Sequence, residues 1–213
     1  MNMSWRLASR FSVITLALLV VIIVALWGVR NNIGEQASTG NPGTNSYGLQ
    51  GTDLAGVPAP NFHLTDQFGK PISLSQFAGK PVVVTFLYTH CTTVCPAIAE
   101  KLRLVVQDLG SDASRVGIVA ISVDPNGDTP ASVLNFSKVH EMLNSWHYLI
   151  GSRNELAPVW TAYAIDAQSV TASTSTHTSA LYVIDKQGRE QVLLDQDFTP
   201  GQLTSDLKIL LGK

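Results

Sequence analysis

Cysteine is nearly missing from this chain: 213 residues hold two, Cys91 and Cys95. Two thiols are too few for a disulfide-stapled scaffold, so the fold must rest on its hydrophobic core and the thiols are left for chemistry. Charge is also scarce, with 14 Lys and Arg against 16 Asp and Glu and a formal net charge of −2. From residue 57 onward fourteen acidic side chains face eleven basic ones. That balance excludes the basic surface a nucleic-acid partner requires. Between Arg30 and Lys70 there is no Lys or Arg at all, and no internal repeat interrupts the chain.

What is present first is an apolar run. Phe11 to Val29 is nineteen residues without a charge, long enough at about 1.5 Å per residue to cross about 30 Å of hydrocarbon. It reads as a transmembrane helix, since a buried core helix in a soluble domain would show water a polar face. A cleaved signal peptide fits less well: the run is long for one, and Leu26-Trp27-Gly28-Val29-Arg30 offers no small-x-small cleavage site. No cysteine stands near its end to carry a lipid. Arg6, Arg10 and the amino terminus outweigh Arg30, which puts residues 1–10 in the cytoplasm and everything after the span outside. So few residues precede the span that no Arg-rich transit peptide fits, which favours a bacterial plasma membrane over a mitochondrial inner membrane. Residues 30–56, rich in Gly, Asn, Ser and Thr, read as a flexible tether. Residues 57–213 are ample for one core.

Within that domain, Phe62-His63-Leu64 and Ile72-Ser73-Leu74 flank Asp66-Gln67-Phe68-Gly69 and predict an opening hairpin. Pro81 to Tyr88 is a continuous β-branched run, as expected of a central strand buried on both faces. Ala97, Ile98, Leu102, Val105, Val106 and Leu109 recur at helical spacing, and Gly110 closes that helix. Val116 to Val123 predicts a second buried strand. Asp128-Thr129-Pro130 then starts a helix whose apolar stripe is Val133, Phe136, Val139, His140 and Leu143. Trp146 to Ile150 predicts a third strand. Ser152-x-x-Glu155 is a candidate capping box, with which Pro158 conflicts, implying a kink or a later start. Residues 180–185 and 190–194 bracket Lys186-Gln187-Gly188-Arg189 as a hairpin, and Thr199-Pro200-Gly201-Gln202 caps a final helix through Leu211. The order β-hairpin, β, α, β, α, β, α, β, β, α predicts an α/β fold, a thioredoxin-like mixed sheet flanked by helices.

The cysteines lie in Tyr88-Thr89-His90-Cys91-Thr92-Thr93-Val94-Cys95-Pro96, between the central strand and its helix. At i and i+4 across a helix start, both sulfurs can point to one spot, which suits a soft metal ion or a reversible disulfide. The positive end of the helix dipole favours the thiolate that either chemistry needs. Five histidines are candidate further ligands. His63 lies in the hairpin, and His140 and His147 fall on a helix stripe and in a strand, where a structural role is the default. His90 is expected to point away from Cys91. His177 stands in a polar Ser/Thr loop with no apolar stripe to belong to, but spacing alone does not bring it to the cysteines.

Gly79-Lys80-Pro81, Tyr88-Thr89-His90-Cys91-x-x-x-Cys95-Pro96, Ile121-Ser122-Val123-Asp124-Pro125 with Asp128-Thr129, Ala162-Tyr163, and His177-Thr178 ahead of Leu181-Tyr182-Val183-Ile184-Asp185 together resemble the Sco/SenC proteins, over essentially residues 57–213. The resemblance implies a membrane-anchored, thioredoxin-like protein that helps build the binuclear copper site of cytochrome c oxidase. It implies copper, as Cu(I) or Cu(II), held by Cys91, Cys95 and His177, with Cys91 and Cys95 also a redox pair. The implied partners are the copper domain of oxidase subunit II and other copper or thiol donors. Two thiolates and one imidazole form a soft, low-coordinate site consistent with that metal. The stretch from Gln168 to Thr176 is expected to order when metal arrives. Two departures stand out: Thr176 replaces an Asp common before the histidine, and Thr92-Thr93 replaces Pro-Asp after the first cysteine, removing a hydrogen-bond partner for His177 and local negative charge.

Two other activities use the same residues. A dedicated extracytoplasmic thiol-disulfide reductase acting on the oxidase's copper-site cysteines needs only Cys91 and Cys95. General thioredoxin chemistry is disfavoured, because the spacing is not Cys-x-x-Cys and no proline lies between Pro158 and Pro200. A peroxidase of peroxiredoxin type is suggested by Pro60-Asn61-Phe62 and Leu64-Thr65-Asp66. Such enzymes place Thr or Ser three residues before the reactive cysteine, where this chain has Tyr88.

Overall fold

The computed structural model describes residues 47–167 and 180–212. Among them, β4 (Val82–Leu87) is buried at all six positions, as a continuous β-branched run must be when helices cover both faces of a sheet. On one side β4 pairs in parallel with β5 (Gly117–Ser122), which pairs in parallel with β6 (His147–Leu149). On the other it pairs antiparallel with β7 (Leu181–Ile184), and β8 (Arg189–Leu194) and β1 (Thr52–Pro58) complete the order β1-β8-β7-β4-β5-β6. The two parallel pairs need crossovers, supplied by the helices α1 (Val94–Leu109) and α2 (Pro130–Val139). Two more helices follow, α3 (Arg153–Ala162) and α4 (Pro200–Leu211), and α4 packs against α1. The expected hairpin is β2 (His63–Thr65) with β3 (Pro71–Ser73), joined to the sheet body through a bridge from Thr65 to Ile150. The α/β, thioredoxin-like reading of the domain therefore holds.

The tether expectation is corrected at its C-terminal end. Leu49 is fully buried, the Gln50 amide donates to Asp206 Oδ1 at 3.0 Å, and β1 extends the sheet beside β8. Side-chain composition hid this strand, because β8 offers an unpaired edge whose hydrogen bonds ask nothing of side-chain polarity. A Cβ at Gly51 would lie 2.8 Å from the Leu193 carbonyl oxygen, so the chain can enter the edge there only as glycine. A bulge separates Asp53 from Val57, with Ala55 and Gly56 at φ of 57° and 64°.

Two local expectations also change. α3 begins directly after Ser152, whose amide and hydroxyl both donate to Glu155 Oε2 at 2.7 Å, so Pro158 lies inside the helix and delays nothing. Proline there leaves the Asn154 carbonyl without its helical donor, and Asn154 is exposed, so water can replace it. Val139 belongs to no apolar stripe: it is the last residue of α2 and 66% exposed. No helix among the described residues is long and apolar enough to cross a membrane; Phe11–Val29 lies outside them.

Candidate metal centre

Where β4 ends, residues 88–93 turn across the C-terminal edge of the sheet into α1, beside the end of β5. In mixed α/β sheets this edge is where ligands gather. The turn is closed by the Cys91 amide donating to the Tyr88 carbonyl at 3.4 Å. Thr93 occupies the N-cap of α1 yet makes no capping bond with its side chain. The free amides of the first turn need an acceptor, and Cys91 Sγ provides it, accepting from the Cys95 amide at 3.3 Å. The local fold thus turns the first cysteine back onto the helix start that carries the second. Both side chains are free thiols and both are buried, Cys91 with 7% exposure.

The two sulfurs divide their protons unequally. The Cys95 thiol donates to the Cys91 sulfur, and the amides of Cys95 and Thr93 and the Tyr88 hydroxyl add to it, so Cys91 lies well below the usual thiol range although burial opposes this. Cys95, the donor in that bond and more deeply buried, is pushed well above it. A thiolate and a thiol side by side behave as one pair holding one proton, ready to lose it to a soft cation. The donor set fits copper: two adjacent, unbridged sulfurs supply two of the positions a low-coordinate thiophilic ion needs. Among the described residues no third His, Cys, Asp or Glu joins them. His177 lies outside the described residues, as does the Gln168–Thr176 stretch expected to order with metal.

The other histidines take structural places. His63 Nε2 lies 3.2 Å from Asn61 Nδ2. His140 follows α2 against Phe136, its ring 4.4 Å away, and burial lowers its pKa. His147 Nδ1 meets the buried Asp66 Oδ2 at 3.0 Å, tying β6 to the hairpin. His90 is exposed, its Nδ1 lying 3.4 Å from Thr89 Oγ1 and beside Gly127, in accord with the expectation that it turns from the sulfurs.

Asp128 was legible only as a helix start, and it does more. Its carboxylate is buried beneath the cysteine turn, with Oδ1 accepting from the Thr89 amide at 2.8 Å and the Thr89 hydroxyl at 2.7 Å. Oδ2 accepts from Ser122 Oγ at 2.6 Å and the Tyr148 hydroxyl at 3.3 Å. Burial raises its pKa against these donors. The Asp128-Thr129 pair in the sequence carried a signal for this residue, but its partners come from three separate strand ends.

Likeness to known proteins bears on the site. Copper-bound ScoI of Bradyrhizobium japonicum is 34% identical with a TM-score of 0.64, over 71% of this chain and 98% of that one. The SCO1 protein homolog of Bacillus subtilis is 28% identical over 111 residues, 51% of this chain and 58% of that protein, so this match spans little more than half of the relative. Chloroplastic peroxiredoxin Q of Populus jackii is 30% identical over 156 residues, 73% of this chain and 67% of that protein. Three residues before Cys91, where a peroxidase of that type is expected to place Thr or Ser, this chain holds Tyr88, whose hydroxyl serves the Cys91 sulfur. The SCO1/SenC model matches residues 52–212, from the first strand through the last helix, and the chain belongs to the SCO1/SenC family.

Proposed function

We propose that this chain is a copper carrier, anchored to the membrane by Phe11–Val29, that holds copper through Cys91, Cys95 and His177 and serves assembly of the binuclear copper site of cytochrome c oxidase. The observation that carries this reading is the sulfur pair itself: two unbridged cysteines at one helix start, with the hydrogen bonds that Cys91 accepts favouring its thiolate. A soft ion takes the place of the proton the pair shares. The copper reported for the Bradyrhizobium relative supports the choice of metal. An imidazole added to two sulfurs lets the site accept Cu(II) as well as Cu(I). His177 is the source of that imidazole in this reading, and the copper domain of oxidase subunit II is the receiver.

Replacing His177 with Ala in the full chain in detergent tests this. Cupric binding is expected to weaken by at least tenfold in a titration, while reduction of a model disulfide by Cys91 and Cys95 continues at an unchanged rate. A wild-type chain that binds no copper but reduces the oxidase's copper-site disulfide would replace the carrier reading with a reductase.

A further inference from the structure

The four hydrogen bonds at Asp128 can be assigned by donor and acceptor. The Thr89 amide can only donate. Ser122 Oγ accepts from the Asp124 amide at 3.1 Å, so its proton points to Asp128 Oδ2 at 2.6 Å. Thr89 Oγ1 and the Tyr148 hydroxyl complete a set in which every partner donates and both carboxylate oxygens accept. An amide of the same shape would turn an NH2 group onto one of these donors. Such a buried group is costly, and the turn it holds is the one that carries Cys91. Thr89 stands two residues before the cysteine, within the turn that the Cys91 amide closes by its 3.4 Å contact to the Tyr88 carbonyl.

We propose that Asp128 is a positioning residue of the cysteine site: by gripping Thr89 through two hydrogen bonds, it fixes the turn from Tyr88 to Cys91 and so sets the separation and direction of the two sulfurs. This rests on the proposed copper-carrier reading for its biological meaning, but the grip itself acts on the metal-free thiols. With the turn held, Cys91 Sγ stays on the Cys95 amide and the pair is ready for a metal without further ordering. With it released, the pair loses that contact, and the dithiol loses ground to the disulfide.

The test uses the full chain in detergent, as wild type, Asp128→Asn, Thr89→Val and Asp206→Asn. Two readouts are taken: the Cu(II)–thiolate charge-transfer absorption with its titrated affinity, and the dithiol–disulfide equilibrium against dithiothreitol without metal. In the second, oxidised dithiothreitol takes two electrons and two protons from Cys91 and Cys95 as their S–S bond forms. Asp128→Asn is expected to lower cupric affinity about 10–100-fold, alter the absorption band and move the equilibrium several-fold toward the disulfide. Thr89→Val, which keeps the amide bond, should move both readouts in the same direction by less, and it keeps the test open if Asp128→Asn does not fold. Asp206→Asn, which alters a buried carboxylate of α4 whose contact is the Gln50 amide, should leave both near wild type. Wild-type values in Asp128→Asn and Thr89→Val, or an equal loss in Asp206→Asn, would overturn the assignment. Because the thiol equilibrium needs no copper, a chain that fails to bind the metal still reports on Asp128.

Discussion

Asp206 sits in α4 with no exposed surface; its Oδ1 accepts only the Gln50 amide, and its Oδ2 has no partner among the described residues. Burial pushes its pKa up to about 6 from an ordinary 3.8. A group raised in this way supports folding below its unfolded value, and that support is lost as pH rises through the folded value. Stability is therefore expected to fall between about pH 4 and pH 6, by up to about 3 kcal/mol at 1.36 kcal/mol per unit. Asn at this position keeps an acceptor for Gln50 and loses the charge. Asp206→Asn should raise the Tm at pH 7.5 and flatten the slope between pH 4 and 6 in thermal unfolding followed by circular dichroism. Cys91 is shifted the other way, first by the thiol proton of Cys95. Iodoacetamide should label Cys91, and not Cys95, at pH values where an ordinary thiol is inert. In Cys95→Ala the donor is gone, and the labelling curve of Cys91 read by mass spectrometry should move to higher pH.

At the scale of elements, the strands are placed by what they allow close to them. Gly117 opens β5 where the Phe77 ring crosses it, and a Cβ there would lie 2.5 Å from Phe77 Cδ1. Gly117→Ala should displace that ring and cost about 1–3 kcal/mol in urea unfolding. Helix starts were legible because their chemistry is local: Thr129 accepts from the Ser132 amide at 3.1 Å and Thr199 from the Gln202 amide at 3.2 Å, each with proline next in sequence. β1 was not, because its partner lies about 140 residues away and its own residues carry no apolar alternation to read. Pro158 misled for a related reason: a helix rule states the cost of the proline but not whether water is at hand for the carbonyl it orphans.

For the molecule as a whole, the buried Leu49 and the β1 edge make residues before position 57 part of the folded unit. Deleting residues 47–56 from the full chain should destabilise it by at least about 2–5 kcal/mol, the range for losing one core leucine, read from guanidinium unfolding. The same deletion should spare the Cu(II)–thiolate absorption, since β8 and β7 separate β1 from the strand that leads to the cysteines. Five of the six strands of the sheet, its crossovers and the cysteine turn were readable in the chain alone, because strand burial, helix caps and a lone pair of thiols are written in neighbouring residues. That Cys91 takes its proton donors from Cys95 and Tyr88, and that one carboxylate from beyond β5 grips Thr89, came only from the folded arrangement. Hydrogen-bond partners are chosen by distance in space, and the identity of an acceptor buried between three strand ends leaves no periodic mark along the chain.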